Sequence, residues 1–124
     1  MIINIKQALK AMYSLIHTQY LDSLLADIGN LASDMVLARS SDETADPAIW
    51  YDWLDAIKKV KGSDVVPETL NIEEGYLAAI IFFNFEADLR SSEDLKTFIQ
   101  TLTFEKWLEA VEAVDKGDSE SLDS

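Results

Sequence analysis

Two segments of this 124-residue chain each recur later in the chain, in the same order and with similar residues. Residues 4–8, Asn-Ile-Lys-Gln-Ala, return 67 positions later as residues 71–75, Asn-Ile-Glu-Glu-Gly. Residues 50–57, which hold two tryptophans, return 54 positions later as residues 104–111. Because the two offsets, 67 and 54, differ by 13, the second copy is 13 residues shorter. The missing residues correspond to the region of the polar segment 37–45 in the first copy. A degenerate tandem repeat of this kind predicts one helical unit built twice around a shared core.

Apolar residues at helical spacing predict three helices in each copy. Asn4 with Gln7, and Asn71 with Glu74, have the spacing of a capping box, which predicts that the first helix of each copy begins directly after the asparagine. Asp46, followed by a proline, is typical of a helix N-terminus and predicts the start of the third helix. The predicted helices are residues 5–20, 24–35, 47–61, 72–89, 93–101 and 104–114, with Ser91 or Ser92 as the cap of the fifth.

The predicted fold class is therefore all-α, a tandem pair of three-helix units at residues 4–60 and 71–114 that stack side by side. They form a single domain over residues 1–115, because neither unit alone has enough apolar surface to bury its inner face. The fourth helix is apolar on most of its circumference, which predicts that it is central and covered on several sides. Residues 116–124 are rich in Gly, Ser and acidic side chains, and are expected to form a disordered tail.

The net charge of the chain is −13, and it is unevenly distributed. Residues 1–61 carry 8 acidic and 6 basic side chains, a net −2, whereas residues 62–124 carry 15 acidic and 4 basic side chains, a net −11. Such a charge repels nucleic acid and anionic lipid, and it attracts basic protein at a rate that falls as salt rises. The alternative explanation is that an acidic surface simply keeps the protein soluble.

Residues that could perform chemistry are scarce in this chain. It has no cysteine and one histidine, His17, which lies beside the apolar stripe of the first helix without an identifiable acid–base partner. Asp42, Glu43 and Asp46 superficially suggest a calcium loop, but the alternating ligands, central glycine and terminal glutamate of such a loop are missing. There is no glycine-rich phosphate loop. The sequence therefore predicts a protein that is not an enzyme and that needs no cofactor or metal.

Residues 46–57 read Asp-Pro-Ala-Ile-Trp-Tyr-Asp-Trp-Leu-Asp-Ala-Ile, and they follow a first helix that contains Ala11 and Met12. On these residues and its acidic helical character, the chain resembles small immunity proteins of bacterial contact-dependent growth-inhibition and related polymorphic toxin systems. The resemblance implies a cytoplasmic inhibitor that binds a basic, nuclease-like toxin domain. The second copy has Thr103 and Phe104 in place of the Asp-Pro start, so a contact attributed to that start applies to the first copy alone.

A protein that neutralises a nucleic-acid-cutting toxin would lay carboxylates across the basic cleft of the toxin. Trp50 and Trp53 share one helical face and are better explained as core residues, whereas Tyr51 lies on the other face beside acidic residues. We therefore expect contacts to a basic protein, and none to nucleic acid or membrane. The predicted partner-binding residues are Glu105, Glu109 and Glu112 on the sixth helix, Glu86 and Asp88 near the end of the fourth, and Asp52, Asp55 and Tyr51 on the third.

Two other functional classes remain open at this stage. A helical adaptor or regulatory subunit would bind through an exposed apolar patch, around residues 82–85, more than through charge. A small-ligand binder or enzyme would use a pocket between the two units, lined by Tyr76, His17 or Tyr20. The sequence leaves the oligomeric state open.

Overall fold

The computed structural model describes residues 2–36 and 44–122, and it confirms an all-α fold in which both copies contribute to one hydrophobic core. Each copy has the three predicted helices, and each is preceded by a short strand that was not predicted. The elements are β1 (Ile2–Asn4), α1 (Ile5–Ser23), α2 (Ala26–Asp34) and α3 (Pro47–Lys61), then β2 (Thr69–Asn71), α4 (Ile72–Leu89), α5 (Glu93–Thr101) and α6 (Phe104–Leu122).

The first helix of each copy begins in the same way. The side-chain oxygens of Asn4 and Asn71 each accept a hydrogen bond, at 2.8 Å, from the backbone N–H of Gln7 and Glu74 respectively. The side chains of Gln7 and Glu74 in turn accept from the backbone N–H of the asparagine, at 3.1 and 3.0 Å. Both predicted capping boxes are therefore confirmed, and each satisfies two backbone donors that the helix itself leaves unpaired.

The strands that precede these helices pair with each other. β1 and β2 are antiparallel, and Ile3 lies opposite Leu70 at the centre of the ladder. These two residues are also equivalent in the repeat, since they are 67 positions apart. An antiparallel pair of equivalent strands relates the two copies by an approximate two-fold axis, and that axis passes through the Ile3–Leu70 pair.

The third helix of each copy packs on the other copy. α3 lies along α4, and α6 lies along α1, so the third helices are exchanged across the two-fold axis. The predicted side-by-side stacking is therefore wrong in this detail, because the units interlock. Each third helix also keeps one bond to its own copy: the indole nitrogens of Trp53 and Trp107 donate to the backbone carbonyls of Ile5 and Ile72, both at 3.0 Å.

The structure corrects several burial expectations. Leu24, the first residue of the second predicted helix, is 71% exposed and instead ends α1 as a left-handed C-cap with φ of 56°. Its repeat equivalent Ser91 has a similar φ of 50°. On α4, Leu77 and Phe85 are exposed, so this helix is covered on fewer sides than its composition predicts. The shared φ at equivalent positions shows that the turn geometry follows the repeat even where residue type differs.

Two expectations fall partly or wholly outside the described residues. The polar segment at residues 37–45 is described only from Thr44. Asp46 caps α3 as predicted, with its carboxylate accepting from the backbone N–H of Ala48 at 3.0 Å. The tail predicted at residues 116–124 lies largely beyond the side chains that are described, which end at Gly117. The helical backbone of α6 extends to Leu122.

Candidate partner-binding surfaces

The contact between α3 and α4 is bordered by an open groove of about 260 Å³, here called the α3/α4 groove. Two apolar side chains of α4, Ile81 and Phe85, form one wall. The other wall comes from α3, which places carboxylates toward its N-terminal end and ammonium groups toward its C-terminal end. The α3 residues of this groove are Asp52, Asp55, Ala56, Lys58 and Lys59.

The contact between α1 and α6 is bordered by a second groove of about 450 Å³, here called the α1/α6 groove. Where α4 presents Ile81 and Phe85, α1 presents Ser14 and Thr18, which are their equivalents at the offset of 67. α6, together with the end of α5, forms the opposite wall. The lining residues are Ser14, Leu15, Thr18, Gln19, Asp22, Phe98, Thr101, Leu102, Lys106, Glu109, Ala110 and Ala113.

The two grooves occupy matching places in the two copies. Asp55 and Ala56 on α3 correspond to Glu109 and Ala110 on α6 at the offset of 54. No lining residue described for one groove belongs to the other. The fold therefore creates two related surfaces. Of the predicted partner-binding residues, Asp52 and Asp55 line the α3/α4 groove and Glu109 lines the α1/α6 groove.

The acidic residues predicted on α6 lie together along one exposed edge. Glu105, Glu109 and Glu112 are all exposed, and their spacings of four and three place them on one side of the helix. Among the described residues, none of them forms an ion pair. Lys106, the nearest basic residue in sequence, instead donates to the backbone carbonyl of Thr101 at 2.9 Å. This edge, defined here as the α6 acidic edge, borders the α1/α6 groove through Glu109.

Of the residues predicted on α3, Asp52 and Asp55 line the α3/α4 groove. Tyr51 is 64% exposed, Asp55 is exposed and Asp52 is half-buried. Asp88 is exposed near the C-terminal end of α4, which lies beside the N-terminal part of α3. Asp55 lies 3.9 Å from the ammonium of Lys58, a surface pair that contributes little to stability. Asp55 therefore stands beside positive charge.

Glu86 is fully buried, so the expectation that its carboxylate faces a partner is wrong. One oxygen accepts a hydrogen bond from Arg90 Nε at 3.1 Å, and the other, Oε1, has no hydrogen-bond partner among the described residues. Burial is the main cause that raises the pKa of Glu86 to about 7, and the adjacent Asp52 carboxyl adds to it, against the lowering effect of Arg90. Ionisation of Glu86 in this buried position is therefore energetically unfavourable.

Arg90 joins this buried carboxyl to the first copy. Its guanidinium donates to Asp34 at the end of α2 at 2.9 Å, as well as to Glu86. A second link runs nearby, where the Ser92 hydroxyl donates to Asp27 of α2 at 2.8 Å. The same hydroxyl oxygen accepts from the backbone N–H of Leu95, which identifies Ser92 as the cap of α5. These polar bonds fasten α2 of the first copy to the α4–α5 corner of the second.

Sequence reasoning missed Arg90, Asp34 and the buried position of Glu86. A signal for Glu86 exists, because it follows Ala79, Phe82 and Phe83 at intervals of seven, four and three, which is the spacing of one helical face. The link to Asp34 has no local signal, since 56 residues separate the two partners. Only the packing of α2 against the second copy brings them together.

The residues considered for chemistry are not assembled into a site. The His17 ring stacks on Tyr13 with centroids 5.3 Å apart, and the Tyr76 ring lies edge-on to Phe104. Neither of the two grooves is lined by His17, Tyr76 or Tyr20. Across residues 2–36 and 44–122, no group of three or more histidines and acids is placed to hold a metal ion. Asp42 and Glu43 of the calcium-like segment lie outside the described residues.

Comparison of the chain with protein-family models, with curated proteins and with solved structures gives no match in any of the three. Within the part of the chain that is described, no helix has both the length and the apolar character needed to cross a membrane.

Proposed function

We propose that this protein binds and neutralises a cognate basic protein, in the manner of an immunity protein that inhibits a nuclease-like toxin. The observation that carries the proposal is the α6 acidic edge. Three exposed carboxyl groups lie along one side of a helix within a chain of net charge −13, and none of them is paired within the described residues. Such an edge accelerates encounter with a cationic surface and orients it.

The rigid surroundings of this edge suit an inhibitor. Trp107, which lies between Glu105 and Glu109 in sequence, is buried and bonded to Ile72, so α6 is fixed to the core. A partner that meets a fixed row of carboxylates loses little free energy to ordering them. A toxin that cuts nucleic acid holds phosphates in a basic cleft, and this row matches such a cleft in charge. Under this proposal the protein acts in the cytoplasm, and its partner is neither nucleic acid nor membrane.

The test compares two variants that remove equal charge from different places. The edge variant carries Glu105→Gln, Glu109→Gln and Glu112→Gln. The control variant carries Asp64→Asn, Glu68→Gln and Glu73→Gln, which are exposed residues far from α6 in sequence. Both variants change the net charge from −13 to −10. Each protein is immobilised and exposed to lysate of the source cell at low and high salt, and any captured protein is identified and assayed for toxicity and nuclease activity.

We expect the wild type and the control to capture a basic toxic protein at low salt, and to protect cells that express it. The edge variant should bind it at least about tenfold more weakly, because three charge-assisted contacts are lost. If both variants weaken binding equally, the net charge of the protein, and not the α6 acidic edge, accounts for the interaction. Capture of neutral partners that is insensitive to salt would overturn the proposal.

A further inference from the structure

Two acidic side chains face each other where α3 packs on α4. Glu86 of α4 is fully buried, and half-buried Asp52 of α3 lies beside it. Glu86 Oε2 accepts a hydrogen bond from Arg90 Nε at 3.1 Å, whereas Oε1 has no hydrogen-bond partner among the described residues. Two ionised carboxylates cannot bond to each other, because each can only accept. A proton on Oε1 lets Glu86 donate to Asp52 and satisfies this buried oxygen.

The positive charge at this position is divided between two carboxylates. Arg90 donates to Asp34 of α2 at 2.9 Å as well as to Glu86. Among the described residues, the charged side chains that act on Glu86 are Asp52 from α3 and Arg90 from the end of α4. α5, α6 and β2 also pack on α4, and no described charged group of theirs is among them. Arg90 alone therefore does not balance ionised Glu86 and Asp52.

The equivalent contact between α1 and α6 has no such pair of acids. Glu86 corresponds to Gln19 at the offset of 67, and Asp52 corresponds to Lys106 at the offset of 54. Gln19 cannot ionise, and the ammonium of Lys106 donates to the backbone carbonyl of Thr101 at 2.9 Å. The fold therefore forms this type of helix contact without facing acids. The acid pair is a feature of the contact between α3 and α4 alone.

We propose that Glu86 Oε1 carries a proton that it donates to the Asp52 carboxylate, and that loss of this proton loosens α3 from α4 while α6 stays in place on α1. The protein then has a pH-sensitive contact in one of its two copies. Deprotonation leaves two facing carboxylates, and separation of α3 from α4 gives both of them access to water and widens the α3/α4 groove. The inference is independent of the proposed function, which uses the α6 acidic edge.

The size of the response follows from the pKa of Glu86 in the closed and open contact. Burial, and after it the Asp52 carboxyl, raise this pKa to about 7 in the closed contact, whereas the ordinary value of 4.5 applies once α3 has separated. The closed contact binds the proton more tightly, so its advantage over the open state is lost as pH rises between these two values. From about pH 6 to about pH 8, the fraction of molecules with α3 separated should rise about tenfold.

Amide hydrogen exchange of the full chain measures this separation helix by helix. Exchange is recorded at about pH 6 and about pH 8 and corrected for the intrinsic effect of pH on free amides, so that the remaining difference reports opening. We expect the protection of the α3 amides to fall about tenfold. The protection of the α6 amides should change by about twofold or less, because α6 can leave α1 while Glu86 stays buried.

Three variants locate the proton. Glu86→Gln cannot ionise and should abolish the pH response of α3. Asp52→Asn places an amide N–H beside Glu86 Oε1 and removes the facing charge, so the response of α3 should fall to about threefold or less. Asp55→Asn is the matched control, because it makes the same chemical change at an exposed position of the same helix, and it should keep the full response.

Equal changes of protection in α3 and α6 would mean that only global unfolding responds to pH, and would overturn the proposal. So would an α3 whose protection is the same at both pH values, or a full wild-type response in Asp52→Asn. If Glu86→Gln does not fold, Asp52→Asn decides the question, since it alters one end of a half-buried side chain. A protein whose α3 responds in this way but that captures no basic partner would retain this inference and lose the proposed function.

Discussion

The indole nitrogen of Trp53 donates a hydrogen bond to the backbone carbonyl of Ile5 at 3.0 Å, across 48 residues of chain. In the second copy Trp107 makes the same bond to Ile72 at the same distance. Each bond ties a third helix, packed on the other copy, back to the first turn of its own copy. The pair of bonds therefore locks the exchange of helices that distinguishes this fold from two separate bundles.

Replacing either tryptophan by phenylalanine should destabilise the fold to a similar extent. Trp53→Phe and Trp107→Phe each remove the hydrogen bond of a buried indole and leave a small cavity, which we expect to lower the free energy of unfolding by about 2 kcal/mol. Urea unfolding followed by circular dichroism measures this. Trp50→Phe, at a half-buried position, is the control and should cost less. If only one of the two substitutions greatly lowers the free energy of unfolding, the two tryptophans do not contribute equally to stability.

Gly75 lies directly beneath the ring of Trp107. A Cβ atom at this position would be 2.9 Å from Trp107 Cζ2, which is closer than van der Waals contact. Gly75→Ala should therefore destabilise the protein by about 1 kcal/mol or more, even though alanine is the better helix former. Gly117→Ala is the control, because a Cβ atom added there would meet no neighbouring atom within 4 Å. Thermal unfolding should show a lower midpoint for the first variant and no decrease for the second.

Ser92 performs two tasks with one hydroxyl. It caps α5 by accepting from Leu95 and fastens that corner to α2 by donating to Asp27. Ser92→Ala should lower the free energy of unfolding by about 1–3 kcal/mol, because it removes the bond to Asp27 and leaves the buried backbone N–H of Leu95 without its acceptor. Ser91→Ala, one residue earlier and exposed, is the matched control. Chemical denaturation distinguishes them, and equal stability of the two variants would contradict the role assigned to Ser92.

Much of the fold could be predicted because its signals are local and occur twice. The capping boxes at Asn4 and Asn71 define where two helices begin, and the predicted bounds of α4 and α5 agree with the structure. The exchange of α3 and α6 between copies has no comparable signal, since a helix carries the same apolar face whichever partner it meets. Strands of three residues are likewise too short for alternation to be detected.

The candidate site was harder to predict because side-chain type does not define exposure. Hydrophobicity places Phe85 and Leu77 in the core, yet both side chains are exposed on α4. Charge places Glu86 on the surface, yet it is buried. In each case the helical face to which the residue belongs decides its position, and for Phe85 that face is set by long-range packing of α3.

The buried carboxyl of Glu86 should make stability depend on pH. Its folded pKa of about 7 lies above the ordinary value of 4.5, chiefly because burial disfavours the charged form, so folding takes up a proton between these two values. The contribution of Glu86 to stability is therefore largest below about pH 4.5 and is lost as pH rises to about 7. The loss amounts to about 3 kcal/mol at most.

Glu86→Gln keeps the shape of the neutral carboxyl and cannot ionise, so this variant should gain stability relative to the wild type as pH rises from about 5 to about 8. The difference between the two proteins is the quantity to measure, by urea unfolding at each pH. Other groups titrate in the opposite direction, such as Glu74, whose pKa is lowered first by the hydrogen bond from Lys61. Glu73→Gln, at the exposed neighbouring position, controls for the loss of one charge and should show no such gain. If the difference between wild type and Glu86→Gln stays constant over this range, Glu86 is ionised throughout, and the attraction of Arg90 then outweighs both burial and the Asp52 carboxyl.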